Sequence, residues 1–197
     1  DIHTHGGGGH DFMDGTPEAI IKACMAHLAH GTTSICPTTL TCTDEELLTF
    51  FDCYREAGKQ MENGPELLGI HLEGPYFSLE QRGAQDPQYI KVPAKDDYKK
   101  LLDASDDIIR MSAAPELEGA MELADELKAR GILASIGHSD ATYAHVIEAW
   151  ERGYTHVTHL YSGMSTIRRI NAYRHLGVIE SAYLIDGMTV EIIADGK

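Results

Sequence analysis

The order of secondary-structure signals along the chain constrains its fold more than any other feature. Short runs rich in apolar and β-branched residues alternate with longer stretches that carry helix signals. This alternation is typical of a parallel sheet whose strands are joined by crossover helices. Besides a clipped first strand at residues 1–5, the sequence predicts strands at residues 32–38, 67–74, 108–116, 132–139, 155–161 and 189–196.

Helix-capping residues mark where the intervening helices begin. Thr16 followed by Pro17 predicts an N-cap with proline at the first helical position. Thr43 and Glu46 have the spacing of a capping box. Two further stretches have apolar residues at helical spacing and end in glycine, at residues 117–131 and 141–153.

Polar residues follow the carboxyl ends of nearly every predicted strand, and the polar stretches 74–94 and 162–173 are predicted to be irregular loops. An open doubly wound sheet gathers its functional residues at one switch point, whereas a barrel brings all strand ends to one rim. We therefore predict an α/β fold, a (β/α)8 TIM-type barrel that is incomplete here, with about seven βα units and without the last strand. Residues 1–197 are predicted to form this single partial domain.

The composition fits a globular protein with a buried core, since 43% of the 197 residues are hydrophobic and 24% are charged. The formal net charge of −15 at pH 7 disfavours nucleic acid and anionic membranes as partners. Neither a membrane-length apolar run nor a basic, apolar leader is visible, which predicts a soluble cytoplasmic protein. We expect the cysteines to be free and mostly buried: Cys24, Cys36, Cys42 and Cys53.

The chain begins with two histidines separated by one threonine, followed by a run of glycines. Residues i and i+2 of a strand point to the same side, so His3 and His5 can bind one metal ion. The glycines let backbone and substrate approach closely. Two histidines that lie in the core or at the surface by chance would give the same pattern, and the motif alone leaves both interpretations open.

Glu73 ends an apolar strand directly before a Gly-Pro pair. A carboxylate in that position is costly to bury unless it is paired or coordinates a metal. A helix-capping or salt-bridged acid is the alternative interpretation. His71 lies two residues earlier on the same face, and it is a candidate metal ligand, a support for the site or a hydrogen-bonded core histidine.

Two more histidines stand at the ends of apolar strands, His138 in GHSDA and His159 in THLY. His156 lies three residues before His159, so we predict that it faces the other side of the strand and packs in the core. A single histidine at a strand end is usually structural, but a barrel brings several strand ends together.

A candidate metal centre therefore consists of His3, His5, Glu73, His138 and His159. Nitrogen and oxygen ligands suit zinc, iron or another first-row divalent metal. Because this set exceeds what one catalytic ion with an open position needs, we expect two ions bridged by the carboxylate. Such ions acidify water and polarise a carbonyl, which predicts hydrolysis of amides or esters. Purely structural histidines without a metal are the alternative.

The motifs DIHTHG, GIHLEGP, RGAQDP, SAAPE, GHSDA, THLY and IIADG occur in this order along the chain. In this the sequence resembles the N-acetylglucosamine-6-phosphate deacetylases of the amidohydrolase superfamily. The resemblance implies a barrel with a flanking β-sandwich, which is missing here, and metal-dependent removal of acetate from the sugar phosphate. It also implies that Glu73, His138 and His159 are the principal metal ligands and that His3 and His5 hold a second ion.

Further roles are implied by the resemblance alone. Ala84 and Gln85 match sugar contacts, and Arg174 matches an arginine that reaches the phosphate from a second subunit, which implies a homodimer; an ordinary surface arginine is the alternative. The catalytic aspartate and a histidine that polarises the acetamide are expected beyond Lys197, so none is expected within the chain. Other positions that match ligand-lining residues are Ser162, Gly163, Asp195, Gly196 and Lys197.

Several departures from the family pattern concern the substrate. Ser162 and Gly163 replace Asn-Ala, and the segment 165–177 is longer than its equivalent and offers Arg168 and Arg169 as other anion contacts. Another N-acetyl amino sugar or a cyclic amide therefore stays open as the substrate. An inactive metal-binding fragment or scaffold is the non-enzymatic alternative.

Overall fold

The structure of the chain is a computed structural model that describes residues 1–196. Within these residues the α-helices are α1 (Pro17–Ala29), α2 (Asp44–Gln60), α3 (Lys95–Leu102), α4 (Ala120–Arg130), α5 (Tyr143–Arg152) and α6 (Val178–Leu184). The strands are β1 (Gly6–Gly7), β2 (His10–Asp11), β3 (Ser34–Ile35), β4 (Glu66–Leu67), β5 (Ile70–Glu73), β6 (Ile108–Ala113), β7 (Leu133–Ile136), β8 (Tyr154–Val157), β9 (Arg168–Ile170), β10 (Tyr173–His175) and β11 (Thr189–Val190).

The main sheet of the described residues is parallel and has five strands in the order β11-β8-β7-β6-β5. Two extended segments continue this array beyond β5. Thr38 forms a parallel bridge with His71, and Thr4 forms one with Pro37. The N–H of Thr38 donates to the carbonyl of Thr4 at 3.0 Å. Residues 1–5 and 34–38 therefore lie beside the sheet in the same parallel direction.

The parallel array curls until its two ends approach each other. His3 lies in the first extended segment and Glu191 follows the last strand, β11, yet His3 Nδ1 is 2.8 Å from Glu191 Oε2. These residues are 188 positions apart in the chain. The confirmed part of the predicted fold is thus an α/β domain with a parallel sheet whose helices pack against it.

The capping residues start the helices at the predicted points. The hydroxyl of Thr16 accepts the N–H of Ala19 at 3.3 Å, and α1 begins with Pro17. The hydroxyl of Thr43 accepts the N–H of Glu46 at 3.2 Å, and a Glu46 oxygen accepts the N–H of Thr43 at 2.9 Å. Helices α4 and α5 also end at the predicted glycines, which confirms all four predicted helices.

Helices α3 and α6 were missed by the sequence analysis because both are short. Each buries only two side chains, Tyr98 and Leu102 in α3, and Val178 and Ser181 in α6. An apolar stripe of that length gives a weak periodic signal.

The predicted strands after residue 31 overlap observed strands but are longer than these, whereas the predicted strand at residues 1–5 contains only an isolated bridge at Thr4. The predicted strand 67–74 is two strands, because Gly69 has φ +136° and turns the backbone between β4 and β5. A Cβ at Gly69 would lie 2.5 Å from Ile109 Cγ2, so another residue would clash there. The prediction of a loop at 162–173 was also partly wrong, since the antiparallel hairpin of β9 and β10 begins within it.

Two buried regions flank the central strands. On one side helices pack on the sheet through apolar side chains such as Phe50, Leu123 and Val146. Inside the curled array the buried side chains are polar and hydrogen-bonded, and they include His71, Arg110, Ser112, Ser135 and Thr158. This polar interior leads to the carboxyl ends of the strands.

None of the helices in the described part of the chain has the length and apolar character needed to cross a lipid bilayer.

All four cysteines are free, and three of them are buried while Cys42 is half-buried, as the sequence predicts. Burial raises the pKa of the Cys24, Cys36 and Cys42 thiols to about 11. At pH 8 only about one such thiol in a thousand is the reactive thiolate. We therefore expect iodoacetamide at pH 8 to label these residues slowly in the native protein and fully after unfolding in urea. Peptide mass spectrometry measures this, and rapid labelling of the native protein would contradict it.

Candidate metal centre

The centre is built around Glu73, the last residue of β5, whose side chain is only 2% exposed. His138 follows β7 by two residues and His159 follows β8 by two residues. Both have positive φ, +46° and +31°, so the chain turns away from the strand direction at each histidine. The ends of three parallel strands thereby bring these side chains to one point.

Each of the four predicted histidines directs its Nε2 atom at the Glu73 carboxylate. Oε1 lies 3.0 Å from His159 Nε2, 3.2 Å from His138 Nε2 and 3.4 Å from His3 Nε2. Oε2 lies 3.2 Å from His5 Nε2. His3 and His5 form one metal-sized cluster with the carboxylate, and His138 and His159 form a second cluster with it. The predicted convergence of these five side chains is present, and metal binding by them stays a prediction.

The hydrogen bonds of His138 make the cluster a good fit to a cation. Its Nδ1 lies 2.9 Å from the carbonyl oxygen of Gln81, which can only accept, so Nδ1 carries the proton. His138 Nε2 is therefore the ring atom that faces Glu73 Oε1 at 3.2 Å and His159 Nε2 at 3.2 Å. A divalent ion would bind at Nε2 in place of a proton shared between the ring and the carboxylate.

The charge of Glu73 is stabilised by its surroundings. Burial alone would raise its pKa, but the imidazoles of His138, His159, His3 and His5 hold it well below the usual range. In addition, the Gln85 amide donates to Glu73 Oε2 at 2.9 Å. Glu73 is therefore a buried anion, and together with imidazole nitrogens it makes a donor set suited to zinc, iron and similar ions.

His71 lies beside this centre and supports it. Its ring packs edge-on against His3, with ring centroids 4.7 Å apart. Both ring nitrogens are engaged elsewhere, Nδ1 with Arg110 Nη2 at 2.7 Å and Nε2 with Ser112 Oγ at 2.7 Å. Burial and the neighbouring guanidinium lower the pKa of His71 well below its ordinary value. Of the three interpretations left open, a neutral hydrogen-bonded support fits these contacts.

His156 is buried, as predicted, but the alternation of side chains along a strand does not explain its position. Its Nδ1 hydrogen-bonds Thr189 Oγ1 at 2.7 Å, and its Nε2 lies 3.6 Å from Glu191 Oε1 in the polar interior. Because β8 ends at Val157, His159 has left the strand, and the spacing between the two histidines no longer decides which face each occupies.

The predicted substrate residues lie in several environments. Ala84 is exposed, whereas the buried Gln85 side chain binds Glu73 and accepts the N–H of Thr41 at 2.8 Å. Gly163 packs against His138, since a Cβ there would lie 3.0 Å from His138 Nδ1. Exposed positions are Ser162, Arg174, Asp195 and Gly196, while Lys197 lies outside the described residues.

Two charged residues beside the centre, Arg110 and Glu191, were not predicted from the sequence. Both interrupt apolar strand runs, in IIRMSA and TVEII, and both are buried. The same signal singled out Glu73, because a charge inside an apolar strand needs a partner. Applied throughout the chain, that criterion would have found them.

The fold and the centre together define an α/β protein with a histidine–carboxylate site at the carboxyl ends of parallel strands. The model of the amidohydrolase family matches residues 1–195. The chain belongs to the amidohydrolase family, whose members depend on divalent metals.

The chain is similar over its whole length to curated deacetylases. The N-acetylglucosamine-6-phosphate deacetylase of Bacillus subtilis (strain 168) is 38% identical, over 100% of this chain and 50% of the relative. The N-acetylgalactosamine-6-phosphate deacetylase of Escherichia coli O157:H7 is 31% identical, over 100% of this chain and 51% of the relative. The chain thus spans about half the length of the curated relatives it matches.

The chain also superposes on solved structures of deacetylases. A mutant N-acetyl-D-glucosamine-6-phosphate deacetylase from Mycobacterium smegmatis, in complex with N-acetyl-D-glucosamine-6-phosphate, superposes with a TM-score of 0.89 at 32% identity, over 100% of this chain and 50% of that chain. The corresponding enzyme from Pasteurella multocida gives 0.86 at 33% identity, over 100% and 50%.

Replacing Glu73→Gln should abolish binding of both ions, because the neutral amide removes the charge and one acceptor shared by the two clusters. Metal content of the purified full-length protein, measured by mass spectrometry, checks this. Glu180→Gln is the matched control, since the Glu180 carboxylate accepts hydrogen bonds from Gly177, Thr166 and Ile167 at the start of α6. Equal metal content in both variants would contradict the assignment.

Removing the metal should destabilise the folded protein, because only the folded chain brings the five side chains together. At a free metal concentration about a hundred times Kd, one ion contributes about 2.7 kcal/mol to the free energy of unfolding. Urea titrations with added Zn²⁺ and with a chelator measure the difference. Identical unfolding midpoints in the two conditions would count against a metal site.

Proposed function

We propose that this chain is the metal-binding part of a hydrolase that converts N-acetylglucosamine-6-phosphate to glucosamine-6-phosphate and acetate. The observation that carries the proposal is the convergence of four imidazole Nε2 atoms on one buried carboxylate. The similarity to deacetylases over the full chain supports the amide bond and the sugar phosphate as the substrate class.

In this proposal His3, His5, Glu73, His138 and His159 hold one or two divalent ions, zinc or iron by their donor chemistry. A bound ion would polarise the acetyl carbonyl and lower the pKa of a water. The chain's own residues fix the ligands: Glu73 stays anionic, and the Gln81 carbonyl holds the His138 proton on Nδ1, away from the centre. Proton transfer to the amine leaving group is assigned to the aspartate expected beyond Lys197, and polarisation of the acetamide is assigned to the histidine expected there.

We also propose that residues 1–197 form one domain and most of a TIM-type barrel, whose active sites lie at the carboxyl ends of the strands. Two features support this: the curl of the parallel array, and a cleft of about 820 Å³ between residues 1–3 and residues 190–195. A further strand in that cleft would close the barrel. The flanking sandwich belongs to the rest of the longer protein in this proposal.

The phosphate needs local positive charge, because the chain has a formal net charge of −15. Arg168 is paired with Asp140, whereas Arg169 and Arg174 face each other in register on the hairpin of β9 and β10. We propose that Arg174 contacts the phosphate in the site of a neighbouring subunit, which makes the protein a homodimer. Ala84, Ser162 and other predicted positions are assigned to the sugar.

The free cysteines suit a reducing compartment, and we place the protein in the cytoplasm. A second candidate substrate is N-acetylgalactosamine-6-phosphate, because a relative with 31% identity is a deacetylase named for that sugar. The two sugars differ at one hydroxyl group, so a direct comparison decides between them.

The full-length protein should release acetate from N-acetylglucosamine-6-phosphate in a coupled assay, and kcat/KM should be at least tenfold lower for the galactose isomer. Glu73→Ala should reduce kcat by about 10³-fold or more, since both ligand clusters lose their shared carboxylate. Glu180→Gln should behave as the wild type. Undiminished hydrolysis by Glu73→Ala would sink the proposed mechanism, and faster turnover of the galactose isomer would reverse the substrate assignment.

A further inference from the structure

We propose that Glu191 is a positioning residue for His3 at the metal centre, and that the buried Arg110 fixes the orientation of Glu191. The inference deepens, and rests on, the metal site proposed above. It concerns residues of this chain that the motifs of the sequence did not single out.

One oxygen of Glu191 contacts two of the proposed ligand residues. Glu191 Oε2 lies 2.8 Å from His3 Nδ1 and accepts the backbone N–H of His159 at 2.8 Å. A carboxylate oxygen accepts and does not donate, so His3 carries a proton on Nδ1 and can present the lone pair of Nε2 to a metal. The same contact joins the first extended segment of the array to the residue after its last strand.

The other oxygen of Glu191 belongs to Arg110. Arg110 Nη1 pairs with Glu191 Oε1, and both side chains are nearly fully buried, with exposures of 4% and 6%. Arg110 Nη2 also donates to His71 Nδ1 at 2.7 Å, which anchors the guanidinium beneath the centre. Because a guanidinium is always charged and only donates, it permanently requires an acceptor at this side of Glu191.

Glu191 is therefore surrounded by donors on both sides: Arg110 at Oε1, and His3 and His159 at Oε2. A carboxylate satisfies all of them, but a carboxamide has only one oxygen. With Glu191→Gln the amide oxygen is expected to stay on the charged Arg110, so that the NH2 group faces His3 Nδ1 and the His159 N–H, which then loses its acceptor. His3 Nδ1 must then accept, which moves the ring proton to Nε2 and blocks metal binding through that atom.

The test measures Zn²⁺ affinity of the full-length protein by competition with a chromophoric chelator, at each of the two ion positions. Glu191→Gln should lower the Zn²⁺ affinity of the position held by His3 and His5 by about 10- to 100-fold. This is the usual effect of removing a carboxylate partner from a metal-binding histidine. The position held by His138 and His159 should change less. Glu180→Gln should bind as the wild type.

A double variant separates positioning from a merely structural role. In Arg110→Met with Glu191→Gln the amide is free to rotate, and its oxygen can accept from His3 Nδ1. Zn²⁺ affinity should therefore recover by at least several-fold over Glu191→Gln alone, although two buried polar contacts have been removed. A purely structural role predicts the opposite, because the double variant loses more contacts than the single one.

The outcomes are distinct. Wild-type affinity in Glu191→Gln overturns the inference while leaving the metal site intact, and so does a double variant that binds more weakly than the single one. A wild-type protein that binds no Zn²⁺ overturns the proposed function as well. If the double variant does not fold, Glu191→Gln alone decides: wild-type or equally weakened affinity at both ion positions overturns the inference, and weakening confined mainly to the position held by His3 and His5 supports it.

Discussion

The structure depends on one buried charge. Glu73 is an anion inside the protein, and it is stable there because four imidazoles and the Gln85 amide surround its two oxygens. Removing a carboxylate from water costs several kcal/mol unless such partners replace the lost hydration. The partners come from segments that are far apart in the chain, so the charge can be buried only when the parallel array has assembled.

A second buried carboxylate, Glu191, extends this arrangement into the interior. It links the first and last segments of the array through His3 and is balanced by Arg110, which in turn contacts His71. The polar interior of the curled sheet thus connects the proposed ligand residues to one another through hydrogen bonds and ion pairs. Membership of the amidohydrolase family accounts for the histidines and the carboxylate at the strand ends. The network of Glu191 and Arg110 accounts for the orientation of the His3 and His71 rings.

Much of the fold was predictable because its signals are local. The caps at Thr16 and Thr43 begin helices at the predicted residues, and the apolar runs locate the strands of the main sheet. Strand lengths, the turn at Gly69 and the hairpin of β9 and β10 were not predictable in the same way. They depend on which neighbour each backbone segment pairs with, and pairing partners lie outside any local window.

The sequence by itself determined the residue types of the site and their strand-end positions: a carboxylate and histidines that follow apolar strands. It could not decide which nitrogen of the His3 and His138 rings faces Glu73, because that depends on the hydrogen bonds that their Nδ1 atoms donate to Glu191 and to the Gln81 carbonyl, which are distant in the chain. It could not decide the turns at His138 and His159 either, where the backbone has positive φ angles. Tertiary structure decided both, since direction and tautomer are properties of contacts between segments and not of residue order.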